Sequence, residues 1–176
     1  MAHAILSHER AARLAHHSVS MEAIQDLRDR VQVPGGLRLH QYANLYFNAR
    51  NPMLFKRLAH ADGLCVLRVS RDDVLDIAGV VLTDQNASSD YVRFLGPTQL
   101  RLVPFHLVFA DDWRHPGDQI AYFRHKAAMC AEVLVPGVVH PELITGAYVV
   151  DEAAAHALVA TGFNGAVSIN AHLFFR

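Results

Sequence analysis

Cysteine is scarce in this chain, long apolar runs are missing, and neither sign of charge prevails. Only two cysteines, Cys65 and Cys130, occur in 176 residues, which excludes a disulfide framework and any CxxC metal site. Both stand in apolar runs and are expected to be reduced core thiols. No stretch reaches the roughly 18 apolar residues of a membrane span. His3, His8, Glu9 and Arg10 interrupt the N-terminus where a signal peptide needs apolar residues, so a cytoplasmic protein off the membrane is expected. Sixteen Lys+Arg face seventeen Asp+Glu, a net charge of −1. That balance excludes the gross basic excess of a protein that wraps duplex DNA and favours a small-molecule enzyme. A GxGxxG turn, a Walker loop, HExxH and GxSxG are all absent. His16 and His17 are adjacent and would point about 100° apart on a helix, so no metal is expected there.

What is present is a 52% hydrophobic chain of mean hydropathy +0.14, enough for one core and one domain over residues 1–176. Charge is uneven along it. Residues 1–59 hold eight Lys/Arg and four Asp/Glu, 60–92 two and six, 93–126 five and three, and 127–176 one and four. Two basic stretches are therefore separated by an acidic one and could meet in the fold as a patch.

Capping chemistry and periodicity place the elements. Ser20 and Pro34-Gly35-Gly36 bracket a helix over about 21–31. Extended structure follows to Arg50, then Asn51-Pro52 reads as cap and first residue of a helix to about His60. Strands are expected at 64–69 and 79–82, with a short helix after Ser70 between them. Residues 84–100 read as a long functional loop or lid. Leu100–Phe109 reads as partly extended. Asp118 and Asp151 should cap helices ending near Met129 and Ala160, with strands at 132–135, 143–150, 166–169 and 173–175. Strand pairs that follow one another directly make the fold α+β, with mixed or antiparallel sheets rather than regular βαβ units.

Two charged residues stand out. On the first helix, with Ile24 at zero, Leu27, Val31 and Met21 form an apolar stripe, and Arg28 falls inside it at about 40°. Glu132 is the one polar residue of AAMCAEVLV, at the start of a strand, where a carboxylate is costly unless paired or used. An inward Arg and Glu suit an anionic substrate with a developing positive centre; they equally suit structural ion pairs, including one with each other. Tyr46–Leu54 is aromatic, polar and basic, and offers phosphate contacts and stacking surfaces at a strand-to-helix junction.

HQYANL and YFNARNPML, followed by TDQNASS and KAAMCAEVLVPGVV, resemble the DarT family of ADP-ribosyltransferase toxins from about Ala4 onward. The resemblance implies a compact ADP-ribosyltransferase fold and a monomer. It also implies NAD+ as co-substrate without a metal, transfer of ADP-ribose to a base of single-stranded DNA, and a macrodomain antitoxin of the DarG type as partner. Position by position it makes Arg28 and Glu132 catalytic, and Leu6, His8, Arg28, Tyr46, Asn48, Arg50 and Met53 cofactor contacts. Asn86, Tyr91, Arg93, Phe94, Arg124 and Lys126 become nucleic-acid contacts, in a stretch from about Asn86 to Glu132 that shapes acceptor choice. Glu132 would stabilise positive charge at the nicotinamide ribose, with Arg28 positioning cofactor or acceptor. The family's N-terminal strand with its His-x-Thr-like element would fall ahead of Met1, and the resemblance implies either a translation start upstream or a truncated form that lacks it. Asn86 stands where thymidine-modifying members carry histidine, which leaves thymidine and guanosine both open as acceptor. Beside this reading stands a catalytically impaired relative that binds nucleic acid or a partner.

Overall fold

The computed structural model describes residues 4–16 and 22–176. Ser20 and Met21, expected as cap and first stripe residue of the first helix, lie outside the described residues, as do His3 and His17. The chain opens with strand β1 (Ile5–Leu6) and helix α1 (His8–Ala11), whose N-cap Ser7 accepts from Arg10 N. Helix α2 (Glu22–Asp29) leads through a turn and a 3-10 helix (Leu39–Gln41) into strand β2 (Tyr42–Tyr46). Helix α3 (Pro52–Phe55) starts as expected, with Asn51 Oδ1 accepting from Met53 N at 2.9 Å and Leu54 N at 3.1 Å and Pro52 in the first turn. It stops after one turn, and a separate 3-10 helix covers Leu58–Gly63.

Strand β3 (Val66–Val69), helix α4 (Arg71–Leu75) and strand β4 (Val81–Thr83) follow. The stretch expected as a lid folds back instead. Strand β5 (Phe94–Leu95) pairs with β4, and Arg93 ties the loop to Asp84 at 2.7 Å. Leu100–Phe109 is not extended: a 3-10 helix over Pro97–Leu102 and helix α5 (Phe105–Val108) occupy it, Pro97 and Pro104 fixing the turns that start them. Asp118 caps helix α6 (Gln119–Ala128) by accepting from Ala121 N. After it come strands β6 (Glu132–Pro136), β7 (Val138–Val139) and β8 (Ile144–Val149). Asp151 caps helix α7 (Glu152–Ala160), and strand β9 (Ala166–Ile169) precedes a C-terminal 3-10 turn over Ala171–Phe174 where a strand was expected. Asn170 causes the change, its side chain accepting from Leu173 N and so favouring a cap over a ladder.

The architecture is α+β. One antiparallel sheet runs β2-β6-β4-β5, a second runs β3-β8-β9 with β8 and β9 parallel, and β1 pairs with β7. Gly137, between β6 and β7, has φ +71°, which lets the chain turn sharply there. Strand β6 is central, and Glu132–Val135 are all buried. Because alternate residues of a strand face opposite sides, Val133 and Val135 enter the main apolar core with Ala43, Leu82 and Val139. Glu132 and Leu134 point the other way, toward Val33, Leu39, Tyr42 and Ala87. In the register Tyr42, Asn44 and Tyr46 stand opposite Pro136, Leu134 and Glu132 and share that second face. No helix among the described residues is long and apolar enough to cross a membrane.

Candidate active site

Helix α2 lies over this second face of the sheet, and the residue it buries is Arg28, 5% exposed. Leu27, expected in the apolar stripe, is half exposed instead. The helix is rotated so that Ile24 and Arg28, one turn apart, face inward. The reason is the partner waiting in the sheet. Arg28 Nη1 donates to Glu132 Oε1 at 3.0 Å and Nη2 to Oε2 at 2.8 Å, a bidentate pair closed over 104 positions of sequence. Glu132 is fully buried.

The pair is held from three sides. Ala87 N donates to Glu132 Oε1 at 2.9 Å. Glu132 N donates to Thr83 Oγ1 at 2.9 Å, and that hydroxyl donates on to Gln85 O at 2.6 Å. With its amide oxygen turned to Arg28, Asn44 accepts from Nη2 and donates to Tyr42 O at 3.0 Å. Asn44, Thr83 and Ala87 were not singled out from sequence. Asn44 had a faint signal, as the polar residue on the Tyr42–Tyr46 face of an alternating strand; Ala87 had none, since it acts through its backbone.

Arg28, Asn44 and Tyr46 also line a cleft of about 1020 Å³, ample for a small-molecule or dinucleotide ligand. Burial, and after it the charge of Glu132 across the strand pair, push the Tyr46 hydroxyl above the usual phenol range, so it remains a neutral donor. Cys130, two residues from Glu132, is raised to about 12 by burial and then by the same carboxylate. Cys65, expected in the core, is exposed on the cleft wall.

Of the other sequence-derived candidates, Leu6, His8 and Met53 line this cleft, and Asn48 and Arg50 do not. Asn48 donates to Val108 O at 2.8 Å and accepts from Arg50 N, bracing its loop. Arg50 donates to Asp111 O at 2.7 Å and His172 O at 3.1 Å, with its guanidinium 4.2 Å from the Phe175 ring centroid. It clasps the C-terminus, where Phe175 holds a left-handed φ of 60°. None of Asn86, Tyr91, Arg93, Phe94, Arg124 and Lys126 lines the cleft either. Asn86 turns its side chain back to Ser88. Arg93 is paired with Asp84, Phe94 packs beside Ala87 and Leu134, and Lys126 sits over the Tyr122 ring. Tyr91 and Arg124 are exposed, Tyr91 by 88%. No cluster of three His, Cys, Asp or Glu suited to a metal occurs among the described residues.

At one end of the cleft the His8 and His40 rings lie 4.2 Å apart. Gln25 Oε1 lies 3.1 Å from His40 Nε2 and Asp29 Oδ1 3.3 Å from Nδ1. Burial lowers the His40 pKa first, then His8, with Arg28 adding a little; Asp29 opposes them. A histidine whose folded pKa lies below 6.5 leaves the unfolded chain binding more protons as pH drops through that value, so the fold loses stability toward acid. Melting temperatures between pH 7 and pH 5 should therefore fall more steeply for the native chain than for His40→Asn; equal slopes would remove His40 from the account.

Three comparisons give this geometry its class. The solved structure of Thermosipho africanus DarTG in complex with ADP-ribose superposes with a TM-score of 0.82 and 26% identity, over 97% of this chain and 46% of that one. Thermus sp. 2.9 DarT in complex with ADP-ribosylated ssDNA also gives 0.82, at 22% identity, over 97% and 86%. The fold is thus that of the DarT ADP-ribosyltransferase structures. A family model described as ssDNA thymidine ADP-ribosyltransferase, DarT, matches residues 1–175, and the chain belongs to the DarT family. A DNA ADP-ribosyl transferase-DNA ADP-ribosyl glycohydrolase fusion protein of Thermosipho africanus (strain H17ap60334) is 29% identical over 163 residues. That match covers 84% of this chain, which spans about two fifths (38%) of the relative.

Proposed function

We propose that this chain is an NAD+-dependent ADP-ribosyltransferase that modifies a base of single-stranded DNA, with thymidine, the base in the family's description, as acceptor. The observation that carries the reading is the buried Arg28–Glu132 pair beside a large cleft, in a chain that the family model matches almost end to end. The Thermosipho relatives, one fused to a glycohydrolase and one holding ADP-ribose, support both the ligand class and a macrodomain partner.

The cleft suits the co-substrate: its walls are largely apolar, with Arg28, Tyr46 and Asn44 as convergent polar groups. When bound, NAD+ supplies the ADP-ribosyl group and a nicotinamide leaving group. On the protein side, Arg28 and the Ala87 N–H fix the direction of the Glu132 carboxylate before any ligand enters, so no reorganisation is needed to aim its charge. Three hydrogen bonds already reach that carboxylate. Oε2 accepts only from Arg28 Nη2 and so keeps a lone pair with which Glu132 can take a ribose hydroxyl while the pair with Arg28 stays intact. Arg28 is a positioning cation, since an arginine remains protonated and is a poor base. Tyr46, held neutral, keeps its O–H as a hydrogen-bond donor.

The test is mass spectrometry of defined single strands incubated with the protein and NAD+. A strand with thymidine as its sole target base should gain one ADP-ribosyl mass, and a strand with guanosine in its place should not. Modification of guanosine alone would transfer the assignment to that base. No modification of either, by protein shown to be folded, would remove the activity.

A second reading has its own observation. Glu132 is fully buried and bonded at both oxygens, as a purely structural ion pair would be. Activity and stability of Glu132→Gln separate the two.

A further inference from the structure

Among the described residues three arginines line the cleft: Arg28 is neutralised by the buried Glu132, and Arg71 pairs with Asp72 at 2.7 Å in an ion pair open to solvent. The third is Arg57. Its Nε is buried and has no hydrogen-bond partner, and its guanidinium forms no ion pair among the described residues. Arg50 is committed to two carbonyls and an aromatic face, and Arg68, whose Nε is also buried without a partner, lies over the Tyr148 ring and does not line the cleft. The backbone of Arg57 is fixed, N donating to Leu54 O at 2.8 Å and O accepting from His60 N at 2.9 Å, where α3 passes into the following 3-10 helix. A buried donor left unpaired is costly, and here it sits in a wall shared with Met53, Leu54, Leu64 and Cys65.

We propose that Arg57 is the phosphate-holding residue of the cleft and takes the pyrophosphate of the dinucleotide. The assignment rests on the NAD+ reading above and adds to it the group that anchors the anionic middle of the molecule. A guanidinium offers five donors in a planar fork that matches phosphate oxygens. In a cleft with mostly apolar walls, an entering anion gains most at the cation whose charge no carboxylate has cancelled. The same chemistry could serve a phosphodiester of the acceptor strand, and the test separates these sources.

Affinities of the whole chain for NAD+, for nicotinamide riboside, which has no phosphate, and for an oligothymidylate without NAD+ are measured by calorimetry in native protein, Arg57→Ala and Arg57→Lys. Arg57→Ala should weaken NAD+ about 10- to 100-fold, the range of a lost charge-assisted contact. Arg57→Lys should fall between, and the riboside and the oligonucleotide should bind as before. Melting temperature should hold, because Arg57 has no partner to lose. Cys65 gives an independent readout: exposed on the same wall, unlike the buried Cys130, it should be shielded from maleimide by NAD+, and Arg57→Ala should need correspondingly more NAD+ for the same shielding. Equal NAD+ affinity in native and Arg57→Ala protein overturns the assignment. So does an equal loss for riboside and dinucleotide, or a loss confined to the oligonucleotide, which gives Arg57 to the strand. Native protein that binds neither NAD+ nor the riboside overturns the dinucleotide reading itself, a result distinct from all of these.

Discussion

Arg28→Ala should destabilise the fold by about 3–5 kcal/mol, the range found when one partner of a buried ion pair is removed. The cost comes less from the lost attraction than from what stays behind. Glu132 is inaccessible to water, and without Arg28 its charge is met only by the Ala87 N–H. For a chain of this size the melting temperature should drop by roughly 6–20 °C. Urea unfolding at pH 7 gives the free energy directly. A loss below about 1 kcal/mol would mean that the pair behaves like a solvated surface bridge. Replacing both members by apolar residues, Arg28→Met with Glu132→Leu, should recover most of the stability, since no uncompensated charge remains.

Glu132→Gln should lower ADP-ribosyl transfer by about 100- to 1000-fold, the usual effect of deleting one pre-aimed electrostatic group. The amide keeps an oxygen for one donor, but its NH2 then faces an Arg28 N–H, donor against donor, in the position that Oε2 occupies. Stability should fall by about 1–3 kcal/mol, the cost of one unsatisfied buried group. Rate and stability are thus expected to separate: the double apolar variant restores the fold and leaves transfer abolished, while Glu132→Gln remains largely folded and nearly inactive. Unchanged transfer in a destabilised Glu132→Gln would establish the pair as structural.

Much of the local structure could be read from neighbours in sequence. Asn51, Asp118 and Asp151 cap the helices they precede because the capping bond spans only two or three residues. Strand β6 was legible as an apolar run interrupted only by Glu132, and such runs belong to strands covered on both faces. The structure departs from the sequence pattern where a local bond competes with periodicity. Leu173–Phe175 looked like a strand, and the Asn170 side chain turned it into a 3-10 helix. Leu27 fitted the apolar stripe of α2, but the demand of Glu132 for its cation rotated the helix and left Leu27 half in solvent.

The same division runs through the site. By itself the sequence determined that an arginine and a glutamate stand among apolar residues, since burying a charge leaves a visible mismatch in composition, and it carried the motifs of the family. Only the tertiary structure decided that the two meet, that Ala87 and Asn44 complete their shell, that Asn48 and Arg50 brace the loop away from the cleft, and that Arg57 stays unneutralised on its wall. Those facts depend on which distant strands pair and in what register. A backbone N–H has no signature in sequence, and a cation is free or spent only with respect to the neighbours that folding brings to it.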